Sequence, residues 1–208
     1  MPDILSTRAA PRGDTPARRY HHGNLRQTLL ESAEQILREQ GVPGLKLRAI
    51  AKRAGVSHTA ADPHFGDLTG LLSELAATGY ERLADAMAGA SGYPDAREIA
   101  RGYIAFAAGN PDLFVLMFRR DALDMTRPRL QQAARSAFSA LGDAAGSPAG
   151  PEGISLAAGG RLTAAWALVH GLAMLLINDR LDPILRRISP QPVPDRLIDA
   201  ALDAVSFR

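Results

Sequence analysis

The sequence predicts an all-α protein. Three observations point that way. Apolar residues recur at i, i+3, i+4 and i+7 in almost every patterned stretch. Sustained Val/Ile/Thr alternation and Asn-Gly hairpin signals are missing from the chain. Gly, Asn and Pro interrupt the periodic stretches where helices would end. With 208 residues, 46% hydrophobic and 22% charged, the chain is long enough for a sizeable core and has the balance of a globular protein.

Residues 1–19 hold three prolines together with Arg8, Arg12, Arg18 and Arg19, and read as a flexible basic arm. They lack the apolar centre of a signal peptide. The first helix is expected from Leu25 to Gln40, with Asn24 as N-cap, a stripe of Leu25, Leu29, Ala33, Ile36 and Leu37, and Gly41 as the stop. A second, short helix covers Leu47 to Ala54, with Leu47, Ile50, Ala51 and Ala54 inward and Gly55 at its end. Ser57 can cap a third segment that reaches Phe65. A long helix then starts near Asp67, carries Leu71, Leu72, Leu75, Ala76 and Leu83, and runs to about Ala88 before a break at Gly92–Pro94. The second half predicts helices at about 95–109, 111–120, 127–141, 154–177 and 194–206, with a loop from Gly142 to Gly153.

Charge and composition narrow the function. The net charge is +2, but residues 1–72 hold 10 Lys/Arg against 7 Asp/Glu, whereas residues 73–208 hold 14 against 15. A basic N-terminal third is a slight footprint for nucleic acid, and ordinary scatter of surface charge explains it equally well. The chain has no cysteine, which excludes disulfides, thiolate chemistry and the strongest metal-site spacings, and fits a cytoplasmic protein. The stretch Leu156–Ile177 has the length of a membrane span. It contains Arg161 and His170, costly inside a bilayer, and no Lys/Arg excess flanks it. A helix buried in a core or a dimer interface fits it better, so no membrane partner is expected.

The informative segment is Leu47–Phe65, LRAIAKRAGVSHTAADPHF. Two short helices joined by a Gly turn make a helix-turn-helix. Ala51 is small where the helices approach, Gly55 permits the positive φ of the turn, and Val56 fills the gap between them. Ser57, His58 and Thr59 would then open the second helix toward a major groove. Arg48, Lys52 and Arg53 lie on the exposed side of the first, suited to phosphates or a base edge. An A-x-x-x-G pattern alone also fits any helical hairpin.

The order of parts adds to this. A basic arm, a long helix, the two-helix motif, the pair His64-Phe65 and then a Leu-rich helix resemble the N-terminal domain of the TetR family. Tyr20-His21-His22-Gly23-Asn24-Leu25-Arg26 resembles the start of one branch of that family. Asn110-Pro111-Asp112-Leu113-Phe114, followed by Leu116-Met117-Phe118, is similar to that branch's sensor domain. Trp166 with His170-Gly171 matches the tryptophan and His-Gly pair for which its C-terminal domain is named. The resemblance spans roughly residues 20–180. It implies an N-terminal three-helix helix-turn-helix domain (20–68) and a C-terminal helical ligand-binding and dimerisation domain (69–208). It also implies a homodimer whose two recognition helices enter successive major grooves of a palindromic double-stranded operator, about 34–36 Å apart. The helices at about 154–177 and 194–206 would form a four-helix dimer interface. A small apolar or amphipathic effector would bind in the sensor domain and release the DNA.

Three positions depart from the family pattern. Asp62 stands where the family usually has a phosphate-binding Tyr, and would repel a backbone that carries a charge every ~1.7 Å of duplex axis. Leu68 stands where it usually has a Lys. Pro63 falls inside the expected recognition helix, where the ring removes a helical bond at about 3 kcal/mol, so the helix is expected to be shortened or kinked. The residues left to bind DNA are Arg48, Lys52, Ser57, His58, Thr59 and His64. The departures leave a second reading open, a helical ligand-binding dimer of the same fold with weakened or lost DNA binding.

The remaining motifs carry less. His21 and His22 are adjacent, not at ligand spacing, and no metal or other cofactor is expected. His64 suits a phosphate or a local turn. His170 shares a helix face with Trp166 and Met174, and fits either a core histidine satisfied by a backbone carbonyl or a polar anchor in a ligand pocket. Phe106, Phe114, Met117, Trp166 and His170 are the candidate ligand-binding residues, although such side chains also build plain core. No nucleophile elbow, Walker loop or H-E-x-x-H is present, so an enzyme is not expected.

Overall fold

The computed structural model describes residues 25–89, 95–146 and 153–205. The basic arm, Asn24 and the His21-His22 pair lie outside them. Among the described residues ten α-helices follow in order: α1 Leu25–Gln40, α2 Leu47–Ala54, α3 Asp62–Phe65, α4 Leu68–Ala88, α5 Ala96–Gly109, α6 Pro111–Met117, α7 Pro128–Ala144, α8 Leu156–Ile177, α9 Asp182–Leu185 and α10 Pro194–Ala204. Short 3-10 turns occupy Val42–Gly44 and His58–Ala61. The all-α expectation holds.

The long amphipathic helices fall where the periodicity puts them. In α1, Leu29, Ala33, Ile36 and Leu37 are buried against α2 and α4. Leu29, Leu37 and Ile50 are fully buried, each contributing about 1.5–3 kcal/mol of hydrophobic stabilisation. Helix α4 is the spine. It packs on α1 at one end and along α5, α6 and α7 for the rest, so one continuous core joins both halves of the chain.

Caps set the boundaries. Asp67 accepts from the Gly70 amide at 2.7 Å and caps α4, which starts at Leu68, where the sequence places it. Asp95 and Glu98 form a reciprocal capping box on α5. The helix expected over 111–120 stops at Met117, where the chain turns away at Phe118. The loop expected from Gly142 begins later, because α7 runs on through Ala144. Helix α9, opened by Asp182-Pro183, carries too few residues to show a period.

Charged clamps fix α4 to its neighbours. Glu34 of α1 is 7% exposed and takes hydrogen bonds from Arg82 of α4 at 2.7 and 3.1 Å and from Arg38 at 2.5 Å. Burial pushes its pKa up, but the two guanidinium groups outweigh that and hold it below 4.5. Arg129 of α7 bridges Glu74 at 2.9 Å and Glu81 at 2.6 Å on α4.

Helix α8 is only partly buried within the chain. Only 17% of its apolar window is buried within the chain, and among the described residues it is the one helix long and apolar enough to cross a membrane. Ala158, Ala165, Val169 and Ala173 face the core. Leu156, Gly160, Ala164, Ala167 and Leu175 form a stripe on the opposite, exposed side. The helix is therefore one-sided within a single subunit, with the apolar stripe on its outer face left exposed.

Candidate functional site

The first site is the exposed face of the helix-turn-helix. Helix α2 ends because Gly55 adopts φ 73°, ψ 27°, a left-handed conformation that costs a side-chain-bearing residue roughly 1–2 kcal/mol. The Val56 amide then donates to the Ala51 carbonyl at 3.0 Å, which closes the turn. Ala51 and Ala54 are buried, and Val56 packs against the core. Arg48 and Lys52, four residues apart, both project from the outer face of α2 and are exposed. Among the described residues neither forms an ion pair. Arg53 differs. Its guanidinium is held by both carboxylate oxygens of Glu39, at 2.7 and 2.5 Å, so the free cation expected there is already engaged.

The recognition segment is not one helix. His58–Ala61 form a 3-10 turn and Asp62–Phe65 a single α turn. Pro63 explains the split. In a continuous α-helix its missing N–H and its ring would collide with the turn before it. Here the Thr59 carbonyl is taken instead by the Asp62 amide in a 3-10 bond, and Pro63 sits in the first turn of α3, where no N–H is needed. The cost expected for a mid-helix proline is thus avoided by a tighter turn. Ser57 occupies the N-cap position but makes no side-chain capping bond. Its hydroxyl lies 3.1 Å from that of Thr59. Ser57, His58, Thr59, Asp62 and His64 are all exposed, with the His64 ring tilted 6.2 Å from Phe65. Asp62 therefore adds a carboxylate to the same exposed segment as the polar trio.

The second site is an aromatic cluster between α4, α5, α6, α7 and α8. Trp166 meets Phe138 edge-on at 4.9 Å. His170 stacks on Phe114 at 5.4 Å and meets Phe118 edge-on at 4.6 Å. The Tyr103 hydroxyl lies 2.9 Å from Nδ1 of His170. A histidine satisfied by a backbone carbonyl is thus corrected: its partner is a tyrosine. Burial lowers the His170 pKa from 6.5, which keeps the ring neutral at pH 7. Burial raises the Tyr103 pKa, with Trp166 pulling it down and Tyr80 adding to the rise, so the phenol stays protonated. Tyr80, pushed up to about 12 by burial, donates to the Met117 carbonyl at 2.9 Å.

Tyr80, Leu83, Tyr103, Phe118, Ala137, Phe138, Leu141 and Trp166 line a cavity of about 10 Å³. That is room for about one water, and no lining residue carries a formal charge at pH 7. Of the expected ligand-binding residues, Trp166 lines the cavity, while Phe114 and His170 form the ring layer packed on Tyr103 and Phe118. Met117 is 1% exposed and Phe106 7% exposed, and both are core rather than lining. Tyr80, Tyr103 and Phe138 were not singled out from the sequence. Most of their partners lie far away in sequence, and only the packing of α4, α5 and α7 brings them in.

Comparison with known proteins agrees with this geometry. The model of bacterial regulatory proteins of the tetR family matches residues 29–75, and that of the tetracyclin repressor-like C-terminal domain matches residues 96–205. A protein of unknown function from Rhodococcus sp. RHA1 shares 32% identity over 90% of this chain and 96% of its own, with a TM-score of 0.67. NalD, the secondary repressor of the MexAB-OprM multidrug efflux pump in Pseudomonas aeruginosa, has the same fold at 19% identity and a TM-score of 0.51, over 88% of this chain and 96% of its own. YobS, an uncharacterized HTH-type transcriptional regulator of Bacillus subtilis (strain 168), is 26% identical over 44% of this chain. The chain spans half the length of that relative. With both domain models matched in order and a 32%-identical relative aligned along nearly its full length, the chain belongs to the TetR family and is a transcriptional regulator, not an enzyme.

Proposed function

We propose that this regulator is a ligand-responsive repressor, released from a palindromic operator by a small molecule. Residues 20–68 bind double-stranded DNA, residues 69–208 sense the effector and dimerise, and residues 1–19 supply a basic arm. One observation carries the DNA-binding half. Arg48 and Lys52 stand exposed and without an ion pair among the described residues, beside the polar run Ser57-His58-Thr59, whereas Arg53 next to them is tied to Glu39. Cations available to phosphates and short polar side chains at the start of the second segment are what a major-groove contact needs.

The uncharged aromatic cluster supports an apolar or amphipathic effector, since a buried ion would lack a counter-charge. The cavity of about 10 Å³ is too small for one. Effector binding must therefore part the rings of Phe118, Phe138 and Trp166, and that rearrangement would shift the dimer to a state with its recognition segments wrongly spaced. The uncovered stripe on α8 supports a homodimer, and a DNA-binding dimer of this kind works in the cytoplasm.

Fluorescence anisotropy on duplexes from the promoter upstream of its own gene tests the reading. A clear preference over a scrambled duplex at moderate salt is expected. Equal affinity for the two, or no binding even in dilute buffer, would instead favour a helical ligand-binding dimer that has lost DNA recognition, the reading to which exposed Asp62 contributes.

A further inference from the structure

The chain from Phe118 to Arg127 runs from the aromatic cluster back to the recognition segment. At its start, the Phe118 ring lines the cavity and touches His170. At its end, just before α7, the Arg127 Nη2 donates to the carbonyl of Phe65, the last residue of α3, at 2.7 Å. Between them, the Asp124 amide donates to the hydroxyl of Ser73 on α4 at 2.9 Å, and Ser73 is 1% exposed.

The site around Arg127 is built for it. A Cβ added at Gly70 would fall on both the Phe65 carbonyl oxygen and the Arg127 guanidinium. Only glycine lets that side chain reach the carbonyl across α4. The Arg127 Nε is buried without a hydrogen bond, 3.6 Å from the Asp124 carboxylate. A buried N–H without a hydrogen bond is retained at a cost, and among the described residues the hydrogen bond that this half-buried guanidinium makes outside its own loop goes to the recognition segment. Phe65 itself is 2% exposed, with the Arg26 guanidinium 5.6 Å over its ring. Its side chain is thus fixed by the DNA-binding half, and its carbonyl by the sensor half.

We infer that Arg127 is a positioning residue for DNA recognition: it holds the end of the recognition segment in place from the sensor half, so that the Phe118–Arg127 loop sets that segment's position. This rests on the repressor reading for its consequence, but not for its geometry. Amide hydrogen exchange of the full chain tests it, comparing Arg127→Ala, Arg127→Lys and Ser73→Ala with the wild type. Arg127→Ala should deprotect residues 57–66 while peptides from α1 and α5 keep their protection. Arg127→Lys should restore part of it. Ser73→Ala, which loosens the loop but leaves the core filled, should produce a smaller loss in the same segment. Duplex affinity of the alanine variant should fall about tenfold, the size expected for one lost charge-assisted hydrogen bond. Uniform deprotection of the whole chain, or none in 57–66, overturns the inference. A wild type that binds no duplex removes the repressor reading, and the exchange comparison then decides on Arg127 by itself. If Arg127→Ala fails to fold, Arg127→Lys and Ser73→Ala carry the same comparison.

Discussion

The Tyr103 hydroxyl, on α5, meets Nδ1 of His170, on α8, at 2.9 Å in the centre of the aromatic cluster. With the phenol held protonated by burial, the hydroxyl donates and Nδ1 accepts, so the neutral imidazole carries its proton on Nε2. Burial lowers the His170 pKa from 6.5. Below that pH the unfolded chain binds a proton that the folded chain resists. Stability from the neutral ring is therefore complete above about pH 6.5 and declines as the pH falls through the lowered folded value. The melting temperature of the wild type should fall more steeply between pH 7 and pH 5 than that of His170→Gln. Parallel curves would mean that His170 titrates as it does in the unfolded chain.

Arg53 and Lys52 are neighbours with opposite prospects. Lys52 is exposed, with no ion pair among the described residues, whereas Arg53 is held bidentate by Glu39. If Lys52 neutralises one phosphate, Lys52→Ala should lower the slope of log affinity against log salt by about 0.9. Arg53→Ala should leave the slope nearly unchanged. A matching loss for both variants would place Arg53 on the phosphates after all and show that its pairing with Glu39 gives way on DNA.

The features legible in the sequence were those set by local chemistry. The period of Leu29, Ala33, Ile36 and Leu37 locates α1, and the Gly55 turn locates the helix-turn-helix. The pairing of Arg53 with Glu39 was not legible, because Glu39 is fourteen residues away and their meeting depends on how α1 and α2 cross. Pro63 was correctly seen to break the recognition helix, but the 3-10 turn that absorbs it depends on the Thr59 carbonyl finding another donor. The ring layer was half visible, since Phe114 with Phe118 and Trp166 with His170 are each one helical turn apart. Tyr80, Tyr103 and Phe138 complete it from three other helices, and no local pattern marks them.

Asp62 occupies the first turn of α3, exposed, where its charge favours the helix end but opposes DNA. Asp62→Tyr removes the charge and supplies a hydroxyl for a phosphate. Operator affinity should rise several-fold at low ionic strength, and the gain should shrink as salt screens the lost repulsion. The same affinity before and after the change, measured by anisotropy across a salt series, would place Asp62 away from the phosphates.

The outer face of α8 yields a test of assembly. Leu156 is 95% exposed and Leu175 40% exposed, and Cβ atoms built at Gly160 and Gly171 meet nothing within 4 Å. Exposed Ala200 and Ala204 add apolar surface on α10, and Val193 does so just before it. Exposed apolar surface of this kind marks a candidate interface. Ala164 lies in the middle of the α8 stripe and is exposed, so a large charged side chain there costs an isolated subunit little. In a dimer packed across this stripe, the same side chain must be buried without a partner, at several kcal/mol. Ala164→Arg should therefore convert a dimeric wild type to a folded monomer in sedimentation velocity, with helical circular dichroism retained. Because the two recognition segments are then no longer joined, its operator affinity should collapse toward that of a single half-site. A variant that sediments as the wild type does would locate the dimer contact elsewhere and leave this apolar stripe without an occupant.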